Sequence, residues 1–311
     1  MKALFITPVR QDMRKLFERE GLECIFAENR NYTQEQLDEA DIIFGNLPQN
    51  VLNQCKNLKW VQLNSAGASE YADLREDIVL TNAAGAYGTA ISEHMIGCTL
   101  MVMKNLARYQ EQQKERLWTN LGSVNTITAS KVLSVGMGDI GSAYAYKMHL
   151  LGAEVSGVRR TIHDKPDYVK ELYTLDQLDD ILPEFDIVAL SLPGTKETEG
   201  LFTEERLRRM KKGAILINVG RGSAIDGNAL VNVMKDHHLS GACLDVTEYE
   251  PLPKNNALWT TENVYITPHI SGKFNAAVTY ETIMKEIFRD NLDRYLKGEP
   301  LQHVVNRKLG Y

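Results

Sequence analysis

The chain has 311 residues, of which 43% are hydrophobic and 24% charged, and its net charge is −6 at neutral pH. This length exceeds one typical core of about 100–200 residues and therefore predicts two domains. The net negative charge does not favour binding to nucleic acid or to an anionic membrane surface. No apolar run approaches the roughly 20 residues that a membrane helix needs.

Strand-like and helix-like segments alternate through the first hundred residues. The strand-like segments are 3–7, 24–27, 41–45, 58–68 and 78–82, and helical spacing runs through 10–20 and 33–39. Strands that alternate with helices indicate a parallel sheet covered on both faces. We therefore expect a flavodoxin-like first domain over residues 1–100.

A second alternating series follows a long apolar helical stretch from Thr89 and a polar segment over 109–125. Its strand-like runs are 131–136, 153–158, 186–192, 214–220, 241–246 and 264–267, and its helical patterns are 139–151, 203–211, 226–237 and 276–296. The series predicts a Rossmann cofactor domain over 101–285, with 286–311 completing the first domain. The expected fold class is α/β, with two doubly wound parallel-sheet domains, a cleft between them and hinges near 100 and 285.

The four cysteines show no spacing typical of metal ligands, so no metal site is predicted. Cys98 and Cys243 lie in apolar runs, and we expect both to be buried thiols. Met1 leads directly into an apolar strand-like run rather than a secretory leader. These features favour a reducing cytoplasm.

The turn VGMGDIG at 135–141 fits the G-x-G-x-x-G pattern, with an apolar strand before it and a helical pattern after it. Gly136 permits a tight turn, Gly138 lets the backbone approach a pyrophosphate, and Gly141 allows the helix to pack closely on the strand. The N-terminus of that helix offers N–H groups and partial positive charge to the phosphates. The pattern predicts a dinucleotide site, and the alternative is merely a tight turn.

The residues after the next strand favour NADP(H) over NAD(H). Proteins that use NAD usually present Asp or Glu to the ribose 2′-hydroxyl at this point. This chain has Arg159, Arg160 and Thr161 instead. Guanidinium groups can bind a 2′-phosphate bidentately, whereas an acid would repel it. The alternatives are NAD(H) use and a pair of solvated arginines beside a loop.

Three ionisable residues follow in separate motifs: Arg221 in NVGRGSAID, Glu250 in LDVTEYEPLP and His269 in ITPHISG. After a dinucleotide turn, this set predicts hydride transfer on a small 2-oxo or 2-hydroxy acid. A histidine can exchange the proton, and a carboxylate beside it favours its charged form. An arginine can hold the substrate carboxylate and polarise the carbonyl. Each residue alone could be structural, and His94 is interpreted as structural or solvated.

These motifs resemble the D-isomer-specific 2-hydroxyacid dehydrogenase family, and in particular its glyoxylate/hydroxypyruvate reductase-like members. Further resembling segments are NSAGA at 64–68, LTNAAGAYG and ISEH within 80–94, and SLPGTKET at 191–198. The resemblance covers about residues 60–272 in the family's order. It implies that Arg221 binds the substrate carboxylate, that His269 is the acid/base and that Glu250 is its partner.

The resemblance also implies roles for residues outside that catalytic set. The backbone of Ala66 and Gly67 would bind the substrate carboxylate. The implied cofactor contacts are Asp139 and Ile140 over the pyrophosphate, Leu192, Pro193 and Thr198 along the cofactor, and Asp245 at the nicotinamide carboxamide. The resemblance also implies dimerisation through the cofactor domain. Segment 109–125, with Trp118 among polar residues, is interpreted as an arm over a neighbouring subunit. A monomer with a folded-back arm is the alternative.

The expected function is NADPH-favoured reduction of glyoxylate, hydroxypyruvate or a similar 2-oxo acid. Two alternatives stay open at this point. One is an NAD-dependent D-2-hydroxyacid or phosphoglycerate dehydrogenase of the same family. The other is a non-enzymatic scaffold that senses NAD(P), similar to the corepressors that share this fold.

Overall fold

The computed structural model describes residues 1–27, 31–274 and 276–307, and the chain divides into two compact units. Unit 1 comprises Met1–Tyr87 and Lys273–Tyr311, and unit 2 comprises Gly88–Gly272. These boundaries precede the expected ones near 100 and 285, because the helix that begins at Gly88 packs within unit 2. Among the described residues, no helix has both the length and the apolar character needed to cross a membrane.

The regular elements of the described residues are as follows. The strands are β1 Lys2–Phe5, β2 Glu23–Phe26, β3 Ile42–Phe44, β4 Trp60–Gln62, β5 Val79–Thr81, β6 Lys131–Val135, β7 Glu154–Val158, β8 Leu172–Tyr173, β9 Ile187–Leu190, β10 Ile215–Asn218, β11 Gly241–Leu244 and β12 Val264–Ile266. The helices are α1 Gln34–Glu39, α2 Gln49–Leu52, α3 Gly88–Met103, α4 Leu106–Lys114, α5 Asp139–Leu150, α6 Leu178–Ile181, α7 Glu204–Arg209, α8 Gly227–Lys235, α9 Ala277–Thr282 and α10 Arg289–Lys297. A π-helical segment, Ile283–Phe288, joins α9 to α10.

The sheet of unit 1 is parallel, with the strand order β2-β1-β3-β4-β5. This is the flavodoxin-like order, so the predicted class of this domain is confirmed. Side chains alternate between the two buried faces of the strands, as a covered parallel sheet requires. Phe5 and Phe44 stack at 4.4 Å on one face, while Leu4 and Ile43 belong to the core on the other.

The sheet of unit 2 is also parallel and has the order β12-β11-β10-β9-β6-β7-β8. Six of these strands follow the Rossmann order, and β12 extends the sheet at one edge, which confirms the predicted cofactor fold. Helix α3 packs on α5, and the hydroxyls of Thr99 and Tyr144 lie 2.9 Å apart in that buried interface. The strand order reverses between β6 and β9, so the loops after these two strands open onto the position where such sheets bind ligands.

Two local expectations differ from the structure, and some short elements were not predicted. Residues 11–17 form a 3-10 helix rather than part of an α-helix over 10–20. The strand expected over 58–68 is limited to β4, because NSAGA forms the following loop. The sequence analysis also missed the short elements α2, β8 and α6. In contrast, α1 begins after Thr33 as expected, with a capping box closed by Gln36.

Candidate active site

The glycine-rich turn lies where the strand order of unit 2 reverses. Gly136 follows β6 with a φ of +99°, and its carbonyl accepts a 2.8 Å hydrogen bond from Ser191 Oγ after β9. A Cβ on Gly141 would overlap that same carbonyl oxygen, so the helix can approach the strand this closely only with glycine there. Gly138 is the N-cap of α5, and no described atom lies within 4 Å of the position that its Cβ would take. The turn therefore fits a pyrophosphate.

The Asp139 side chain lies at the same helix N-terminus but has a structural partner. Its Oδ2 accepts a 2.9 Å hydrogen bond from the backbone N–H of Gly88, the first residue of α3. The carboxylate thus ties the start of α3 to the start of α5. A phosphate contact by Asp139 or Ile140, which the resemblance implies, would have to come from their backbone N–H groups.

The residues after β7 place positive charge next to the glycine-rich turn. Arg159 donates hydrogen bonds to the carbonyls of Met137 and His163, both at 3.1 Å, and Met137 is part of that turn. Arg160 and Thr161 are exposed. The sequence analysis overlooked the nearby carboxylate of Glu197. A hydrogen bond from Thr195 lowers the pKa of that carboxyl, and the charge of Arg160 adds to the effect.

The side chain of one threonine makes hydrogen bonds across the loop after β9. Thr198 is 5% exposed, and its Oγ1 donates to the carbonyl of Pro193 at 2.6 Å and accepts from the N–H of Thr195 at 2.9 Å. Leu192 is buried, and a Cβ on Gly220 would lie 2.6 Å from its backbone nitrogen and oxygen. Leu192, Pro193 and Thr198, which are predicted to lie along the cofactor, therefore belong to one loop with internal hydrogen bonds, and this loop abuts the loop after β10.

Arg221 stands in that loop after β10, on a turn shaped by Asn218. The Asn218 side chain donates to the carbonyl of Arg221 and accepts from the N–H of Gly220, both at 3.0 Å. Arg221 Nη1 donates to the carbonyl of Gly220 at 2.8 Å, which uses only one of the several N–H donors of a guanidinium. The half-buried side chain lies alongside Gly194, whose Cβ would be 3.2 Å from Arg221 Cγ.

A close backbone contact connects the Arg221 loop to the acid and the histidine. A Cβ on Gly222 would overlap the backbone of Thr247, so only glycine permits this approach. The N–H of Thr247 donates to Glu250 Oε1 at 3.2 Å. Glu250 Oε2 lies 2.7 Å from His269 Nδ1, and these two side chains are 39% and 54% exposed. The structure thus brings the three predicted catalytic residues into neighbouring loops of unit 2.

The loop that carries His269 is fastened to Asp245, which is 3% exposed. The backbone N–H of His269 donates to the carbonyls of Asp245 and Thr267, both at 2.9 Å. The Asp245 carboxylate accepts hydrogen bonds from Thr267 Oγ1, from the N–H of Ile270 and from both the N–H and the hydroxyl of Ser271. Burial raises the pKa of the Asp245 carboxyl, but these hydrogen bonds outweigh burial and hold that pKa below its usual value.

The predicted carboxylate-binding loop of unit 1 follows β4. Asn82 Nδ2 donates to the carbonyl of Ala66 at 2.8 Å, and Ser65 Oγ donates to the carbonyl of Gly67, also at 2.8 Å. The N–H of Ala83 donates to the carbonyl of Ser65 at 2.9 Å. Residues near the end of β5 therefore fix the shape of the loop. The sequence analysis did not identify Asn82, although it stands inside the quoted segment LTNAAGAYG.

Comparison with known proteins decides the family. Residues 96–271 match the family model described as D-isomer specific 2-hydroxyacid dehydrogenase, NAD binding domain. The chain belongs to this family. The D-2-hydroxyacid dehydrogenase is an NAD(P)-dependent oxidoreductase that acts on CH–OH groups, as the resemblance implied.

Individual relatives are similar to this dehydrogenase over most of its length. A glyoxylate reductase from Thermofilum pendens is 32% identical over 270 residues, which are 83% of this chain and 78% of the relative. A family protein from Aeromonas salmonicida has a TM-score of 0.88 at 32% identity, covering 98% of this chain and 99% of that one. A dehydrogenase from Xanthobacter autotrophicus, solved with NADPH and MES, has a TM-score of 0.83 at 28% identity, covering 100% and 99%.

One histidine that was not predicted to be part of the site lies behind the loop that carries His269. His94 is half-buried on α3, and its Nε2 is 3.5 Å from both Cys98 Sγ and Thr267 Oγ1. Contact with Cys98 raises the pKa of His94. Cys98 and Cys243 are buried free thiols, which confirms that expectation. The interpretation of His94 as structural or solvated stays a prediction, and the residue adjoins the loop that carries His269.

Proposed function

We propose that the dehydrogenase reduces a small 2-oxo acid such as glyoxylate or hydroxypyruvate, with NADPH as the favoured cofactor. One observation carries the proposal: the 2.7 Å contact between His269 Nδ1 and Glu250 Oε2, in loops adjoining that of Arg221. Because the carboxylate occupies Nδ1, Nε2 is the histidine atom that can face a substrate oxygen. An arginine in the neighbouring loop suits a substrate that carries a carboxylate.

In this proposal, different residues of the chain have separate roles in the reduction. A bound nicotinamide supplies the hydride. His269 donates a proton from Nε2 to the carbonyl oxygen, and Glu250 orients the imidazole through its contact with Nδ1. Arg221 holds the substrate carboxylate and polarises the carbonyl as negative charge develops on its oxygen. The backbone N–H groups of Ala66 and Gly67 donate to the substrate carboxylate.

The cofactor residues follow from the same motifs. Gly136, Gly138 and Gly141, with the backbone of Asp139 and Ile140, accommodate the pyrophosphate, and the loop of Leu192, Pro193 and Thr198 borders the cofactor. Arg159, Arg160 and Thr161 receive the ribose 2′-phosphate. The similar Xanthobacter autotrophicus dehydrogenase was solved with NADPH, which supports this assignment.

A rate panel tests the proposed function. Glyoxylate, hydroxypyruvate, pyruvate, 3-phosphohydroxypyruvate and longer 2-oxo acids are assayed with NADPH and NADH side by side. We expect the highest kcat/KM for one of the short 2-oxo acids with NADPH. Preference for 3-phosphohydroxypyruvate with NADH would support the phosphoglycerate dehydrogenase alternative. Negligible reduction of every 2-oxo acid would support a scaffold instead.

The cofactor preference gives a separate prediction. NADPH should bind about tenfold or more tightly than NADH, a difference of about 1.4 kcal/mol, because Arg159 holds positive charge beside the glycine-rich turn. Arg159→Asp should abolish or invert this preference, and fluorescence titration with both cofactors measures it. The preference should also shrink as salt rises, since partly exposed charge pairs are screened.

Arg209→Asp provides the matched control for this charge reversal. Arg209 pairs with Glu205 on the surface helix α7, so its replacement changes the net charge equally at a remote position. The control should keep the wild-type ratio of dissociation constants. Equal or tighter binding of NADH by the unmodified protein would show that these arginines do not select the 2′-phosphate.

A further prediction concerns the partner of the histidine. Glu250→Gln keeps an oxygen that can accept from the N–H of Thr247 but removes the negative charge next to His269. The imidazole then loses the hydrogen bond to a carboxylate that orients it, so kcat for reduction should fall about tenfold or more while the affinity for the cofactor hardly changes. Glu248→Gln, an exposed neighbour, should keep the wild-type kcat. An unchanged kcat in Glu250→Gln, with chemistry rate-limiting, would reduce Glu250 to a structural role.

We also propose that the dehydrogenase forms a homodimer through its cofactor domain. Helix α4 has no buried residue, and Leu117 and Trp118 after it are exposed, Trp118 fully so. Exposed apolar side chains in one segment are typical of an interaction surface. The expected cytoplasmic location stays a prediction.

A further inference from the structure

Two buried thiols of unit 2 lie against each other, Cys98 on α3 and Cys243 on β11. Cys243 Sγ is 3.9 Å from the carbonyl oxygen of Cys98, and the two thiols are in hydrogen-bonding contact. Both are free. Cys98 is 9% exposed and Cys243 only 2%, so a small solute from the solvent reaches Cys98 first.

A histidine on the same face of α3 contacts the more accessible thiol. His94 precedes Cys98 by four residues, and its Nε2 lies 3.5 Å from Cys98 Sγ. Contact with Cys243, and then with His94, outweighs burial and holds the pKa of the Cys98 thiol well below its usual value. Contact with Cys98 raises the pKa of His94 in turn. A thiolate beside an imidazolium is the reactive form of a cysteine.

The other two cysteines have a different environment. Burial raises the pKa of both the Cys24 and the Cys55 thiols. Cys24 Sγ donates to the carbonyl of Phe17 at 3.4 Å, and Cys55 Sγ donates to the carbonyl of Val51 at 3.5 Å. Thiols that stay protonated in this way react poorly with oxidants. The chain therefore contains its own comparison for a reactive thiol.

We propose that Cys98 and Cys243 are a peroxide-reactive dithiol that closes to an intramolecular disulfide, with His94 activating Cys98. The Cys98 thiolate attacks one oxygen of a peroxide, so that an S–O bond forms and the O–O bond breaks. The departing hydroxide takes a proton from the His94 imidazolium and leaves as water. The Cys243 sulfur then attacks the sulfenic acid, the S–S bond forms, and the S–O bond breaks as a second water leaves with the thiol proton. Hydrogen peroxide is reduced to two waters while two thiols are oxidised.

The dithiol adjoins the segment that leads to His269. The N–H of Thr267 donates at 2.9 Å to the carbonyl of Leu244, which follows Cys243 on β11. His94 Nε2 lies 3.5 Å from Thr267 Oγ1. A disulfide would draw the α3 thiol away from His94 and towards β11, and both contacts of Thr267 would shift. Oxidation should therefore lower kcat, because small misplacements of a catalytic group can cost up to about 10²-fold. This kinetic consequence rests on the proposed function, whereas the thiol chemistry does not.

Peroxide treatment of the full chain tests the proposal without any substitution. The reduced protein is exposed to hydrogen peroxide, quenched with catalase and mapped by mass spectrometry without reduction. We expect two of the four thiols to be lost and one disulfide to join Cys98 to Cys243. The kcat should fall about tenfold or more and return with dithiothreitol. Loss of Cys24 or Cys55 as readily as Cys98 would overturn the proposal, and a complete disulfide with unchanged kcat would overturn its link to the catalytic loop.

Three variants assign the separate steps. Cys243→Ser removes the resolving thiol, so dimedone should trap a sulfenic acid on Cys98. His94→Gln should slow the loss of thiols about tenfold or more, because the thiolate loses its charged neighbour. Cys55→Ser, at a buried thiol of unit 1, is the matched control and should react as the wild-type protein does.

Two results would contradict these assignments. An unchanged rate of thiol loss in His94→Gln would remove His94 from the chemistry, and failure of dimedone to label Cys243→Ser would remove Cys98. If the wild-type protein reduces no 2-oxo acid, the proposed function fails, while the thiol count and the disulfide map still decide whether the dithiol exists.

Discussion

Replacing His269 with alanine is expected to lower kcat by two or more orders of magnitude, while the affinity for the cofactor hardly changes. Acid/base catalysis typically contributes about 10²–10⁴-fold, and the imidazole in this loop is oriented for that role by its 2.7 Å contact with Glu250. Steady-state kinetics with the best 2-oxo acid measure kcat, and fluorescence titration measures cofactor binding. Retention of near-full turnover would remove His269 from the mechanism.

The backbone conformation of His269 calls for a matched control. His237 also has a φ of +51° and is exposed, but it stands after α8, away from the catalytic loops. His237→Ala reproduces the change from histidine to alanine in a left-handed position. It should leave kcat at the wild-type value, so a large effect in His269→Ala alone reports the chemistry of the imidazole rather than the strain of its backbone.

The sequence predicted those features that depend on local pattern. The two alternating series gave both parallel sheets, and Gly141 was assigned to close helix packing, which the overlap of its Cβ with the Gly136 carbonyl explains. The family resemblance paired the acid with the histidine, and their side chains lie in contact. Motifs on successive strands of one parallel sheet meet at its carboxyl edge, which is why their order in the chain was informative.

Contacts between residues that are far apart in the chain could not be predicted from local sequence pattern. Thr267 and Ser271 stand in the quoted string ITPHISG, but they bond to a carboxylate that is 22 and 26 residues away in the chain. Nothing in the spacing distinguishes a hydroxyl with this partner from a solvated one. The unit boundary at Gly88 was missed for a related reason. The apolar spacing of α3 marks a buried face but does not indicate which sheet covers that face.

The 3-10 helix at Gln11–Phe17 illustrates a limit of periodicity itself. Its buried residues are Met13 and Phe17, and Leu16 and Phe17 follow Met13 by three and four positions. Over so few turns this spacing suits a 3-10 helix as well as an α-helix. Longer helices such as α5 and α8 were predicted closely, because the pattern repeats often enough to fix the period.

Replacing Arg221 should produce the second large effect. Arg221→Gln removes the charge that we propose holds the substrate carboxylate and stabilises the developing alkoxide, so kcat/KM should fall by about 10²–10³-fold, as it does when an oxyanion donor is lost. Arg221→Lys keeps the charge but not the bidentate fork, and its loss should be intermediate. The Asn218 side chain bonds to the backbone of Arg221, so the turn should survive both changes. Initial-rate kinetics of both variants measure the loss.

A substrate without a carboxylate separates this role from a structural one. The wild-type protein should reduce hydroxyacetone far more slowly than hydroxypyruvate, because Arg221 has no carboxylate to hold in the ketone. If Arg221 binds that carboxylate, Arg221→Gln should affect the ketone much less than the 2-oxo acid, and the preference between them should collapse. Arg209→Gln, on the surface of α7, should keep both rates. An equal loss on both substrates would mean that Arg221 maintains the loop or polarises the carbonyl without contacting the carboxylate.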